Sequence, residues 1–186
     1  MPLNNVVTGF TTKVDANGVP LFYSQEAVGN QYAAATQSAQ TFGVGLSATV
    51  ATFGLYNPVG SGVNAYLKVL NLSLSAPPAA AVVFYYAFTP VNVANPSAVT
   101  ALAAVPTLLN NPTAAVCVPF RAATLSAVPT IIRLHQSSLA AALQSQSIFE
   151  DQINGKIILP PGAAIALQAS AAAAGFISAV WEELQA

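Results

Sequence analysis

The side chains able to do acid–base or nucleophilic chemistry are few in this chain. There is one histidine, His135, one cysteine, Cys117, five lysines and arginines, and six aspartates and glutamates among 186 residues. A Ser-His-Asp arrangement is arithmetically available, with His135, Asp151 and any of many serines. But no G-x-S-x-G elbow exists to present a nucleophile, and NPVGSGV contains only GSG. The acidic pairs are Glu150-Asp151 and Glu182-Glu183. A glycosidase needs two carboxylates facing each other across a bond, whereas adjacent residues of a strand point to opposite faces. One Cys and one His, at 117 and 135, do not make a zinc pattern, and no D-x-D-x-D-G calcium loop is present. The Gly-rich VGSG lacks the lysine and following helix of a phosphate loop. The expectation is a non-enzyme with no catalytic residue, no cofactor and no metal. A hydrolase built on His135 is the disfavoured alternative.

The elements that would hold such residues are as unusual as their scarcity. Hydrophobic residues make up 54% of the chain and charged residues 6%, where soluble domains average about a quarter charged. No charge occurs from Ala27 to Leu67 or from Val69 to Phe120. Either the surface is neutral and hydroxyl-rich, or other subunits cover much of it. Core-facing and surface positions alike are apolar or small, which favours covering. The five cations are scattered and the net charge is −1, so phosphate-neutralising clusters for nucleic acid are lacking, as is a basic face for an anionic membrane. A single cysteine excludes an intrachain disulfide. The N-terminus MPLNNVVTGF has neither a basic region nor an apolar core, so it does not read as a secretory signal. The uncharged run at 157–181 is broken by Pro160, Pro161 and Gly162 and is not expected to span a membrane.

Residues 1–40 are polar and Asn/Gln-rich, with the turn signal DANGVP and short apolar islands such as Leu21-Phe22-Tyr23. They read as an extended N-terminal arm, and residues 41–186 as the folded domain. From Thr41, period-2 alternation predicts strand through TFGVGLSATVATFGLY, and again after NPVGSG. The apolar phase switches within the second of these runs, from Val63, Ala65, Leu67 and Val69 to Leu70, Leu72 and Leu74. That predicts a β-bulge, or burial on different faces against a neighbouring subunit. AVVFYYAF predicts a buried strand, the Pro-rich 89–115 predicts loop with short edge strands, and VCVPFR and PTIIRLHQ predict further strands. SSLAAALQSQSIFEDQ fits a short helix or a strand equally. GKIILPPGAAIALQAS reads as strand, Pro-Gly turn, strand, and AAAAGFISAVWEELQA is evenly split between helix and strand. With no βαβ alternation, the fold class is an all-β antiparallel sandwich or barrel.

Two segments carry a resemblance. LYNPVGSGVNAYLKVLNLSLS (55–75) is a strand ending in Asn-Pro, a Gly-Ser-Gly turn and a long strand. GKIILPPGAAIALQASAAAAGFISAVWEEL (155–184) is an apolar strand, Pro-Gly, an apolar strand, a small-residue turn and an aromatic-Glu-Glu ending. Together, in this order, they resemble the jelly-roll-like β-sandwich virion proteins of tailed bacteriophages, which include capsid decoration or cement proteins and head fibres. The resemblance implies that GFISAVWEEL is the last strand. It implies a homotrimer on the capsid outer surface, assembled in the host cytoplasm and bridging major capsid protein subunits. The alternative within the same resemblance is a head or tail fibre module that binds host-surface glycans. Buried aromatics dominate interface energetics, so the interface candidates are Phe22 and Tyr23 in the arm and Phe53, Tyr85, Tyr86 and Trp181 in the sandwich, with core packing as the alternative for the last four.

Overall fold

Alternation and turn chemistry together set the architecture. In the computed structural model, which describes residues 5–7, 10–12, 29–49, 51–89, 94–108, 112–136 and 148–186, every regular element is a strand. In chain order they are β1 (Asn5–Val7), β2 (Phe10–Thr12), β3 (Gln31–Ala35), β4 (Gln40–Thr41), β5 (Phe53–Tyr56), β6 (Val63–Leu74), β7 (Val83–Thr89), β8 (Ser97–Ala101), β9 (Val105–Pro106), β10 (Val118–Thr124), β11 (Thr130–Gln136), β12 (Ile148–Leu159), β13 (Ala164–Ala169) and β14 (Ala174–Gln185). The protein is an all-β sandwich of two antiparallel sheets. One sheet runs β11-β7-β13-β5-β10-β8. The other runs β12-β6-β14-β3-β9, with β4 also pairing β14. β1 and β2 pair only with each other.

Between the sheets lies one principal core, with Phe42, Phe53, Leu67, Leu72, Phe84, Leu167, Ile177 and Trp181 among its buried members. The connections β5 to β6, β6 to β7, β12 to β13 and β13 to β14 each pass from one sheet to the other. The Pro-Gly turn after Leu159 therefore links the two layers and does not close a hairpin. The evenly balanced C-terminal segment is β14, a central strand paired along its length with β6. Burying Phe84, Leu72 and Trp181 together needs a flat layer at that place, and a helix there would leave the β6 ladder unpaired.

The phase switch in β6 has a local cause. Val180 pairs with Val69 and Trp181 with Leu67, so Lys68 is an extra residue on β6. This bulge turns Ala65, Leu67, Leu70, Leu72 and Leu74 to the same core. Both halves of the strand are thus accommodated inside the protomer, and a neighbouring subunit is not needed to bury the second phase. β12 carries a larger irregularity beside it, where Gln152 and Ile157 pair with Val69 and Leu67. Asn154 and Gly155 both take positive φ there, 53° and 76°.

Two expectations are corrected. The predicted strand from Thr41 forms only over Phe53–Tyr56. Phe42 enters the principal core, and residues 43–49 instead lie across the outer side of the first sheet. Gly45 N–H donates to the Ala169 carbonyl at 2.8 Å, Leu125 N–H to that of Ala48 at 2.8 Å, and Gln168 Nε2 to that of Ser47 at 2.6 Å. A second, smaller core of Ala51, Phe120, Ala123, Leu125, Ala164 and Ala166 results. The sandwich also begins earlier than residue 41. β3 and β4 fall within the stretch read as arm, because Tyr32 is buried against Trp181 and the β14 ladder needs a partner on that side. The Pro-rich 89–115 stretch supplies the short edge strands β8 and β9, as its proline spacing predicts.

Candidate interaction surface

Of the eight charged side chains among the described residues, five are engaged within the fold. Lys68, at the bulge, forms an ion pair with the buried carboxylate of Glu182. This is the single charge between Ala27 and Phe120, and it neutralises an acid that the register carries into the sheet. Arg133 Nε on β11 meets Asp151 Oδ2 on β12 at 3.0 Å, so this pair bridges the two sheets at one lateral edge. Tyr86 lies beside it, and burial first, then the Asp151 charge, pushes the phenol well above its ordinary value.

Glu183 is the third buried acid. Its Oε1 accepts from Trp181 Nε1 and from Cys117 N–H, each at 2.9 Å, and its Oε2 accepts from Val116 N–H at 2.9 Å. One carboxylate thus ties the loop before β10 to the last strand and satisfies three donors that would otherwise be orphaned. Burial, and then the Glu183 charge, raise the Cys117 thiol far above its usual range, so it is held as an inert thiol. Tyr32 stacks on Trp181 with ring centroids 5.9 Å apart. Its phenol is also raised, by burial and then by Glu183 and Cys117.

The acidic pairs behave as adjacent strand residues must. Glu182 turns to Lys68 and Glu183 to Trp181, while Asp151 turns inward and Glu150 stays exposed. Glu150 pairs with Asn71 and Glu182 with Tyr66, five positions apart on β6 and so separated by roughly 16 Å. Among the described residues, neither adjacent acidic pair nor Glu150 with Glu182 is placed to face across a scissile bond. Among the described residues no group of three or more His, Cys, Asp or Glu could hold a metal. His135 stands in β11 opposite Phe84; its side chain lies outside the described residues, and Asp151 is engaged with Arg133.

Of the aromatic interface candidates, Phe53, Tyr86 and Trp181 belong to the core, and Tyr85 is buried with its hydroxyl donating to the Ala169 carbonyl at 3.2 Å. Side chains so fully enclosed in one protomer have little area left to offer a partner, so these four are packing residues. Phe22 and Tyr23 lie outside the described residues. The exposed large apolar side chains are mostly aliphatic instead: several are scattered, such as Val44, Val59 and Val105, and a group stands together in Ile131, Ile132 and Leu134 on β11, Val128 before it, and Ile158 on β12. Phe176 is also exposed, on the outer face of the second sheet. Sequence reading missed these because alternation marks them as ordinary strand residues; only the sheet order reveals that β11 and β12 are edges.

No family model matches the chain, and no curated protein or solved structure matches it significantly. Among the described residues no helix is long and apolar enough to cross a membrane.

Proposed function

We propose that this chain is a structural virion protein: a capsid cement or decoration protein that trimerises and bridges neighbouring major capsid protein subunits to stabilise a phage head. The observation that carries the reading is the fate of its charges. Of those described, only Arg121, Glu150 and Lys156 are exposed and outside an ion pair, while aliphatic side chains stand open on a sheet edge. Monomers in water ordinarily keep charge on the surface, and Lys and Glu are depleted where subunits meet.

Cementing needs area and shape, not a reactive pocket. Apolar surface removed from water contributes about 25 cal/mol per Å², and obligate interfaces bury roughly 2,000 Å² or more. A sandwich with cross-linked layers supplies a stiff body for that load. The jelly-roll-like character and the N-terminal arm reaching a neighbour belong to the same reading.

The test is the solution mass and capsid binding of the purified chain. Three chains of 19.0 kDa would give a particle of ~57 kDa, and it is expected to bind expanded capsids. A monomer that ignores expanded capsids would overturn the reading. Localisation to the tail together with retention on a glycan surface would favour the fibre role.

A further inference from the structure

The two lateral sides of the sandwich differ in how they guard their strand edges. On one side, the edges are β8 and β9, five and two residues long, with Ser97, Ala98, Ala101 and a single large apolar side chain, Val105, exposed and Pro106 half-buried. Short strands and proline are the usual devices that prevent edge pairing. On the other side, the edges are β11 and β12, seven and twelve residues long. The single cation described on β11, Arg133, is turned onto Asp151. Of the side chains described on β11, Leu134 is 64% exposed and Ile132 46%, with Ile131 and Thr130 exposed beside them. Ile132 and Ile158, the latter 45% exposed, line one groove with Phe88 between the sheet edges.

We infer that this β11–β12 edge is the contact between copies of this chain, a deepening that rests on the homo-oligomer reading above. Charge supports a second copy as occupant. Lys156 stands at the rim of the groove, and Glu150 is exposed on the same strand. Among the described residues these are two of the three exposed charges outside ion pairs, they are opposite in sign, and both lie on this edge. Three such edges converging on a threefold axis place the aliphatic strip toward the axis. Glu150 of each copy then reaches Lys156 of the next, closing a heterologous ring. Among the described residues no other side of the sandwich pairs an aliphatic strip with charges of both signs.

The experiment is light scattering of the full chain near micromolar concentration, with circular dichroism to verify the fold. Four variants accompany it: Leu134→Lys, Glu150→Lys, Lys156→Glu and the double swap Glu150→Lys/Lys156→Glu. Phe176→Lys, on the outer sheet face, is the control. Expected are an oligomeric native chain and control, at least a tenfold weaker association for Leu134→Lys and for each single swap, and recovery in the double swap. A native monomer overturns the oligomer reading and this contact with it. A native oligomer that all four variants leave intact overturns the contact alone. If Leu134→Lys fails to fold, the exposed charge swaps decide by whether the double variant recovers association.

Discussion

Asn57 Nδ2 donates to the Leu159 carbonyl at 2.8 Å, joining positions 102 residues apart, and also to the Val63 carbonyl at 2.6 Å. Its backbone completes the clamp: Asn57 N–H donates to the Ala163 carbonyl and Gly162 N–H donates to the Asn57 carbonyl, both at 2.9 Å. The NPVGSG turn and the LPPGA turn are therefore one structure, closed by a side chain buried to 1% exposure. Asn57→Ala takes the side-chain donor from the buried Leu159 carbonyl and leaves the Val63 carbonyl with Ser61 Oγ, at about 1–3 kcal/mol, and a melting temperature lower by on the order of 5 °C is expected. Asn57→Asp should be worse, since a carboxylate faces the same carbonyls with no proton to give. Thermal unfolding of both variants checks this; a loss under about 2 °C for Asn57→Ala means the turns hold each other without the side chain.

Two glycines should respond in opposite ways to Ala. A Cβ on Gly54 would stand 2.2 Å from the Ile165 carbonyl oxygen and 2.4 Å from Phe120 Cζ. Backbone cannot yield there without opening the sheet, so Gly54→Ala is expected to cost more than about 4 kcal/mol or to prevent folding. Gly60, with φ +76°, meets nothing within 4 Å, so Gly60→Ala carries only the left-handed backbone strain, about 1–2 kcal/mol. Denaturant titration of the pair measures the contrast, and equal costs would contradict it.

Removing one partner of the Lys68–Glu182 pair strands a buried charge. Lys68→Ala is expected to destabilise by about 3 kcal/mol. Lys68→Met/Glu182→Leu, which removes both charges and keeps the volume, should recover most of that loss. Chemical denaturation of the two single variants and the double gives the coupling; an additive double variant would show that the two side chains do not depend on each other.

Alkaline lability follows from Cys117 and Tyr86. Both have folded values raised above their ordinary 9.0 and 10.0. A raised folded value contributes stability that is complete below the unfolded value and is lost as pH climbs toward the folded one. Stability should thus be flat through neutral pH, then fall above about pH 9, by up to about 1.4 kcal/mol per pH unit for each group. Denaturation from pH 7 to 11 reads the slope, which should be reduced above pH 9 in Cys117→Ala. The same burial predicts that a thiol reagent labels Cys117 only in denaturant; prompt labelling of the native chain at pH 8 would contradict it.

Much of the fold was legible in the residues themselves. Period-2 alternation, the Pro and Gly punctuation and the lack of βαβ alternation pointed to an all-β chain, and the phase switch between Val69 and Leu70 offered a bulge as one explanation, which the ladder places at Lys68. The poverty of catalytic groups was equally plain. Alternation is blind to what lies on either side of a strand, so it could not tell that Phe53, Tyr86 and Trp181 face the core while Leu134 and Ile158 remain in water. It could not foresee that 43–49 would leave the ladder to cover a sheet, since hydrogen bonds to Ala169 and Leu125 exist only once β13 and the end of β10 are in place. Strand order decides which edges are open, and strand order comes from contacts such as Asn57 to Leu159 and Arg133 to Asp151, between residues that are distant in the chain. Local residue chemistry determined the strands; long-range pairing, which no local pattern encodes, decided the faces and the edges.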